Sequence, residues 1–281
     1  MISAFPKIFA VGTKYVADIF DGPVEITEKL DGSQIGFGKV GGKLIVRSKG
    51  ALINLDAPDS LFKAATDYIK SIESILPDNV FFYGECFKQP KHNTLVYLNI
   101  PKNHIALFGV NVLGEFQPHF VISHFADLLG FDVVPILIDG IASTADIPLL
   151  LERESYLGNA KIEGVVIKNY KKNVVLTTDV ILPIMSAKYV SEAFKEVHGK
   201  RWEQEETNKG KFHTLCSQYK TEARWAKAVQ HLKEAGVLDD SPKDIGMLLK
   251  EIKEDIETEE KENIKDQLYN LYVKDIMKVA T

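Results

Sequence analysis

Two cysteines, Cys86 and Cys216, are all that 281 residues contain, and they lie far apart with no CxxC spacing, so the chain offers neither a disulfide framework nor a zinc site. It also lacks any apolar run near the roughly 20 residues that a membrane helix requires. The opening MISAFPKIFAVG has no basic stretch leading into a long apolar segment, as a secretion signal would. The expectation is a cytoplasmic protein, in the host cytoplasm if viral, with no membrane partner. There is no excess of basic charge: the net charge is −5, and neither the part before residue 200 nor the part after it is basic. Charge therefore gives no support to nucleic-acid binding, and any such claim has to come from motifs. No GxxxxGK[ST] loop is present to cradle phosphates. The seven histidines show no metal-ligand spacing, and His119 and His124 read as surface or core residues.

What the chain does have is apolar material, 45% of residues, enough for a packed core and one or two domains. Its patterning changes near residue 195. Before that point, short β-branched and aromatic runs broken by Gly, Pro and Asn predict strands over 24–28, 35–40, 43–47, 80–85, 105–112, 162–169 and 174–182. Gly41 and Gly42 supply a tight hairpin turn between the second and third. Three-to-four spacing of apolar residues predicts helices over 60–76, 121–129 and 148–157. This is a mixed, mostly antiparallel α+β pattern.

Beyond about residue 200 the strand signal stops and amphipathic helices take over. Ser241, Pro242 and Asp244 read as a helix start. Ile245, Leu248, Leu249, Ile252 and Ile256 follow as one apolar stripe, Ile264, Leu268, Leu271, Tyr272 and Ile276 as another, and Trp225, Val229 and Leu232 as an earlier one; all read as core packing. The expected division is 1–195 and 196–281.

The informative string is EITEKLDGS, in which Lys29, Leu30, Asp31 and Gly32 follow a strand. Alone, Lys-x-Asp-Gly recurs by chance in roughly 6% of chains this long, and reads as a turn with an exposed lysine. It has company, in order: Arg47 in RSKG, Glu85 in FYGE, Phe108 in ALFGV, Glu163 and Lys168 in EGVVIK, and Lys188 in AKYVSEAF. Read singly, Phe108 is a core aromatic and Glu85 a solvated strand end. In this order and spacing the chain resembles the covalent nucleotidyltransferase superfamily of ligases and capping enzymes, and within it the RNA ligase 2 type. The helical tail with SPKDIG resembles that family's C-terminal domain.

The resemblance implies an adenylyltransferase domain of antiparallel sheets with flanking helices, followed by an all-helical domain. It implies ATP as AMP donor, Mg²⁺ or Mn²⁺ as cofactor, and Lys29 as the nucleophile that carries AMP. A lysine must be a free amine to attack phosphorus, and its reference pKa is about 10.4. Arg47, Lys168 and Lys188 are expected to supply cations that disfavour its ammonium form and stabilise the phosphoryl transition state. Glu163 would hold the metal ion, partly through water. Glu85 would bind the ribose hydroxyls, Phe108 would stack on adenine, and Glu28 would sit at the adenine edge. The implied partners are RNA ends, in nicked duplex RNA or an RNA/DNA hybrid, and a monomer acting in RNA repair.

Two departures stand out. Where the family carries Lys-x-Lys in its last motif, this chain reads Ser186, Ala187, Lys188; either another cation serves or the local alignment shifts by a few residues. Gln34 stands where the family commonly has an asparagine that engages the RNA end, and reads either as a nucleic-acid contact beside Arg47 or as an ordinary hairpin residue. The alternatives are a small ATP-dependent DNA ligase, a guanylyltransferase that caps RNA, and a nucleotide- or RNA-binding module that has lost sealing activity. DNA ligases and capping enzymes continue into an OB-fold of short strands, where this chain reads as helices.

Overall fold

Alternation along the strand that leads to Lys29 sets the architecture. In β2 (Val24–Lys29), Val24 and Ile26 point to one face and Glu25 and Thr27 to the other. The computed structural model, which describes residues 2–177, 179–191, 212, 215–238 and 241–280, places β2 inside a five-stranded sheet. Its order is β1 (Phe9–Ala10), β13 (Met185–Val190), β10 (Gly164–Asn169), β2 and β9 (Ile136–Gly140). Val24, Ile26, Val165, Ile167, Met185 and Ala187 share one buried face with Val16, Ile19, Ile147 and Leu150. Each such aliphatic side chain contributes about 1.5–3 kcal/mol by leaving water. Glu25, Thr27, Lys29, Lys168, Ser186 and Lys188 leave the sheet on its other side, while Glu28 and Asn169 are polar residues on the apolar face.

A second sheet runs β4 (Lys43–Ser48), β3 (Ser33–Val40), β5 (Val80–Cys86), β6 (Ile105–Val112) and β7 (Glu115–Phe116), with β8 (Asp132–Val133) parallel to β6. Gly41 and Gly42, at φ 59° and 75°, make the β3–β4 turn. Helices α1 (Lys63–Ser71) and α2 (His119–Leu129) contribute Ala65, Ile69, Ile122 and Leu129 to an apolar layer with Ile35, Phe37, Phe82 and Leu107. A smaller cluster of Leu30, Phe87, Tyr97, Ala106 and Val134, with Phe108 against it, joins the turn after β2 to this sheet.

Three expectations need correction. The helix expected over 148–157 is α3 (Ile147–Leu151) only. Beyond it the chain turns back, with Ser155 N–H bonded to Ala160 O at 2.8 Å. The single strand expected over 174–182 is a separate hairpin of β11 (Val174–Thr177) and β12 (Val180–Leu182). β13 was not foreseen as a strand, yet its Met-Ser-Ala-Lys alternation makes it the outer partner of β10.

The chain divides into two compact units, Met1–Ser191 and Glu192–Thr281. The described part of the second contains α4 (Glu222–Glu234), α5 (Asp244–Asp255), a π-helical turn Ile256–Glu260 and α6 (Lys261–Ala280). The stripes expected there as core are partly open: Ile245, Leu249, Ile276 and Trp225 are 55%, 45%, 62% and 41% exposed. Charge does part of the packing instead. Arg224, 1% exposed, bonds to Asp255 and Glu260, and Lys227 reaches Asp255 at 2.7 Å.

Candidate active site

Register decides which chemistry-bearing residues meet. Gly164 lies opposite Lys29, Val166 opposite Thr27, and Lys168 opposite Glu25; on the far side of β10, Ser186 lies opposite Lys168 and Lys188 opposite Val166. Directly opposed residues share a face, so Lys29, Lys168, Ser186, Lys188 and Glu25 all project from the side away from the apolar layer. This gathers most of the expected cations on one polar surface.

At one end of that surface Lys29 Nζ donates to Glu163 Oε2 at 2.6 Å, with side chains 26% and 11% exposed. Glu163 precedes Gly164, and its own carbonyl accepts from Ser191 N at 2.9 Å, which anchors it beside β13. A Cβ on Gly164 would lie 2.2 Å from Tyr189 O, so only glycine lets β10 and β13 close beneath the pair. Gly32 is similarly constrained, since its Cβ would lie 2.7 Å from Glu85 Cγ.

The electrostatics differ from the expectation. Burial weakens the Lys29 ammonium, but Glu163, with Glu85 and Asp31 behind it, more than restores it, and the pKa is raised above the ordinary lysine value. Burial also raises the Glu163 carboxyl, against the opposing pull of Lys29 and Lys188. The free protein thus holds Lys29 as an ammonium. Of the three cations expected to counter this, Lys188 acts on Glu163. Lys168 stands four residues along β10 from the row of Lys29, about 13 Å away. Arg47 donates to Ile2 O at 3.0 Å, Ser48 O at 3.0 Å and Lys49 O at 3.1 Å, and so ties the N-terminal segment to β4.

On the second sheet Gln34 and Glu85 are direct cross-strand partners, and Glu85 is near enough to act on Lys29. Phe108 is half-buried and sits at a break in register: Tyr83 pairs with Gly109 and Gly84 with Leu107, leaving Phe108 as the extra residue of a bulge. Bulges re-aim a side chain. Phe5 meets this ring edge-on at 5.2 Å, and Tyr83 OH donates to Ser3 O at 3.2 Å. Glu28 follows the pleat to the opposite face from Lys29. There Oε2 accepts from Tyr156 N at 3.2 Å, Oε1 is buried without a hydrogen-bond partner, and burial raises the carboxyl pKa. The structure does not bring its carboxylate to the Lys29 surface.

Sequence reasoning passed over the role of Asp31. Its Oδ2 accepts from Thr94 N at 2.8 Å and Leu95 N at 2.7 Å, while Asn93 Nδ2 donates to Asp31 O and Gly32 O at 3.2 and 2.9 Å. Tyr97 OH accepts from Asp31 N at 3.0 Å. The segment 88–98 is thereby fastened over the Lys-Leu-Asp-Gly turn. His92 completes the fastening: Nδ1 accepts from Lys88 N at 3.0 Å, so Nε2 carries the proton and donates to Ser33 Oγ at 2.8 Å. Burial brings this histidine down to about 4. The Asp in the motif was the available signal; its backbone partners, some sixty residues away, carry none. Among the described residues no group of three His, Cys, Asp or Glu side chains is arranged to hold a metal ion.

The fold is shared over about two thirds of the chain with solved RNA ligase structures. The Naegleria gruberi RNA ligase with PPi aligns at 18% identity and a TM-score of 0.51, covering 69% of this chain and 57% of that one. A substituted form of that ligase with ATP and Mn aligns at 19% and 0.52, covering 68% and 57%, and another with AMP and Mn at 19% and 0.52, covering 68% and 56%. At such identity the likeness establishes the fold alone, and this chain spans less than two thirds of those chains. No curated protein matches the sequence. Residues 22–190 match the RNA ligase family, a stretch that runs from before Lys29 to beyond Lys188, and the chain belongs to that family.

Proposed function

We propose that this chain is an ATP-dependent RNA ligase that joins a 3′-hydroxyl to a 5′-phosphate through AMP carried on Lys29. The observation that carries the reading is the Lys29–Glu163 pair at 2.6 Å, set by the register of Lys29 with Gly164 inside the family-matching segment. The Lys29 amine attacks the α-phosphorus of ATP; a nitrogen–phosphorus bond forms, the bond to the β-phosphate oxygen breaks, and pyrophosphate leaves. A 5′-phosphate oxygen then takes AMP from Lys29. The 3′-hydroxyl attacks that phosphate, AMP leaves, and the phosphodiester is sealed.

Each step makes demands on residues of this chain. Lys29 has to lose its proton and open its contact with Glu163 before it can attack. Lys188, already acting on Glu163, stands where it can meet phosphoryl oxygens. Glu85 faces the ribose hydroxyls and Phe108 offers a ring face for adenine. Gln34, paired with Glu85, borders the same site and is the residue we assign to the RNA end; Arg47 acts through the segment it ties down. Glu28 braces the turn around Tyr156 instead of reading the adenine edge. With no group of three metal-ligating side chains among the described residues, Mg²⁺ or Mn²⁺ would be held chiefly by phosphates and water, with Glu163 as the protein's contribution. Such an ion would neutralise phosphate charge as pyrophosphate departs. The expected substrate is a nick in duplex RNA or an RNA/DNA hybrid, sealed by a monomer in cytoplasmic RNA repair.

The test is incubation with ATP labelled at the α-phosphate and a divalent cation, followed by denaturation. Label is expected on the wild type and absent from Lys29→Ala; an unlabelled wild type, or equal labelling of the variant, would overturn the mechanism. GTP in place of ATP tests capping chemistry. Sealing of nicks with ribose or deoxyribose at the 3′ side separates RNA from DNA ligation, and labelling without sealing would mark a module that has lost joining.

A further inference from the structure

Lys168 is the ionisable group that the mechanism above leaves unused. It is 2% exposed, on the polar face of the first sheet, far from the Lys29 row. Its side chain crosses to the second sheet, where Nζ donates to the main-chain carbonyl of Phe108 and lies 5.7 Å from the centroid of the same residue's ring. Phe108 is the unpaired residue of the β6 bulge, and Phe5 packs edge-on against its ring. Carbonyl and ring of the bulged residue are thus gripped by one ammonium, and the ring is braced by a second aromatic. Glu25, opposite Lys168 in register, accepts from His119 N at 2.9 Å through Oε1, and its carboxylate also acts on Tyr170. Across the other strand, Ser186 is fully buried and its hydroxyl has no hydrogen-bond partner. Lys168 is thus enclosed, and its ammonium is already committed to the Phe108 carbonyl. Burial has brought its pKa down to about 8, as expected of an ammonium with one facing carboxylate and little solvent.

We infer that Lys168 is a positioning residue: it fixes the Phe108 bulge so that the aromatic ring is presented to the nucleotide base, and it does not contact phosphate. The inference rests on the reading of Phe108 as the adenine platform. A phosphate-binding lysine and a strut beneath the base differ in what they sense. The strut's loss weakens every ligand that carries adenine by one common factor, while loss of a phosphate contact weakens ligands in proportion to their phosphates.

The experiment is equilibrium binding of adenosine, AMP and ATP to the wild type, Lys168→Met and Lys168→Gln, with thermal unfolding to confirm that each variant is folded. Lys168→Met is expected to weaken all three ligands by about tenfold, and Lys168→Gln, whose amide can still donate to the Phe108 carbonyl, to weaken them less. A second cycle tests the route: once Phe108→Leu is present, adding Lys168→Met should change binding by less than twofold. A loss that grows from adenosine to ATP, unchanged binding, or full additivity with Phe108→Leu would overturn the inference. Should Lys168→Met fail to fold, the Gln variant alone decides, by whether its loss is uniform across the three ligands. A wild type that binds none of them would instead sink the nucleotide reading, so the two failures are distinguishable.

Discussion

The two ends of one sheet face use lysine in opposite ways. At the open end Lys29 is a quarter exposed, and the carboxylate at 2.6 Å raises its pKa. At the closed end Lys168 is buried, bonded to a main-chain carbonyl, and lowered to about 8. A search for the lysine whose ammonium is most destabilised would select Lys168, and not Lys29, the residue we propose as the nucleophile. The comparison teaches that a depressed pKa at rest reports burial. Reactivity belongs to the group that is accessible and whose partner can be taken away.

Removing that partner should break the contrast most severely. Glu163→Gln is expected to slow label transfer from ATP by about 100-fold or more, through lost transition-state stabilisation. It should also move the rising limb of the pH–rate profile to lower pH, because Lys29 keeps its burial and loses its nearest anion; single-turnover labelling across pH reads both. An unmoved limb would mean that Glu163 does not set the state of Lys29. Gly164→Ala inserts a Cβ 2.2 Å from Tyr189 O and should lower stability by about 3 kcal/mol, seen in thermal unfolding, with Lys29 labelling lost beyond what the unfolded fraction explains.

The closed end is read through pH. Because Lys168 is lowered from 10.5 to about 8 in the folded protein, the unfolded chain holds the extra proton between those values. The wild type should then gain on Lys168→Met as pH rises through that window, by at most about 1.4 kcal/mol per pH unit. Chemical unfolding at pH 7.5 and at a pH about two units higher checks this, and a constant difference would place Lys168 in contact with solvent. His92 gives a smaller effect at the open end. Its value of about 4, below the ordinary 6.5, means that the folded state is favoured above pH 6.5 and loses that advantage as pH falls toward 4. The Thr94 and Leu95 amides, bonded to Asp31, should exchange faster with solvent in that range, and His92→Gln should flatten the response.

How much of this was legible in the sequence follows from the range of each interaction. β6 was foreseen with its observed bounds, and the Gly41–Gly42 hairpin with its turn, because alternation and turn chemistry are local. The motif order located Lys29, Glu85, Glu163 and Lys188, which the fold brings to one region. Lys168 and Arg47 were expected as cations for Lys29, and the fold sets Lys168 four residues along β10 from the Lys29 row and ties Arg47 to main-chain carbonyls. The pairing of Lys168 with Glu25 and Ser186 depends on β13, whose partnership with β10 no local pattern announces. Arg47 is satisfied by carbonyls that include that of Ile2, 45 residues earlier in the chain. The helix expected over 148–157 had the right apolar spacing but ends at Leu151, where Leu149 is 76% exposed and the following backbone turns back toward Glu28. In the second unit the apolar stripes were found, yet the burial of Arg224 among Asp255 and Glu260 left part of them open.

The most direct test of the contrast between the two lysines is to incubate the wild-type protein with ATP and a divalent cation, digest it, and map the adenylyl group by mass spectrometry under conditions that preserve the phosphoramidate bond. One adenylyl group on the peptide containing Lys29, and none on the peptide containing Lys168, is the predicted result. Adenylate on Lys168 or Lys188, or on no lysine at all, would contradict it.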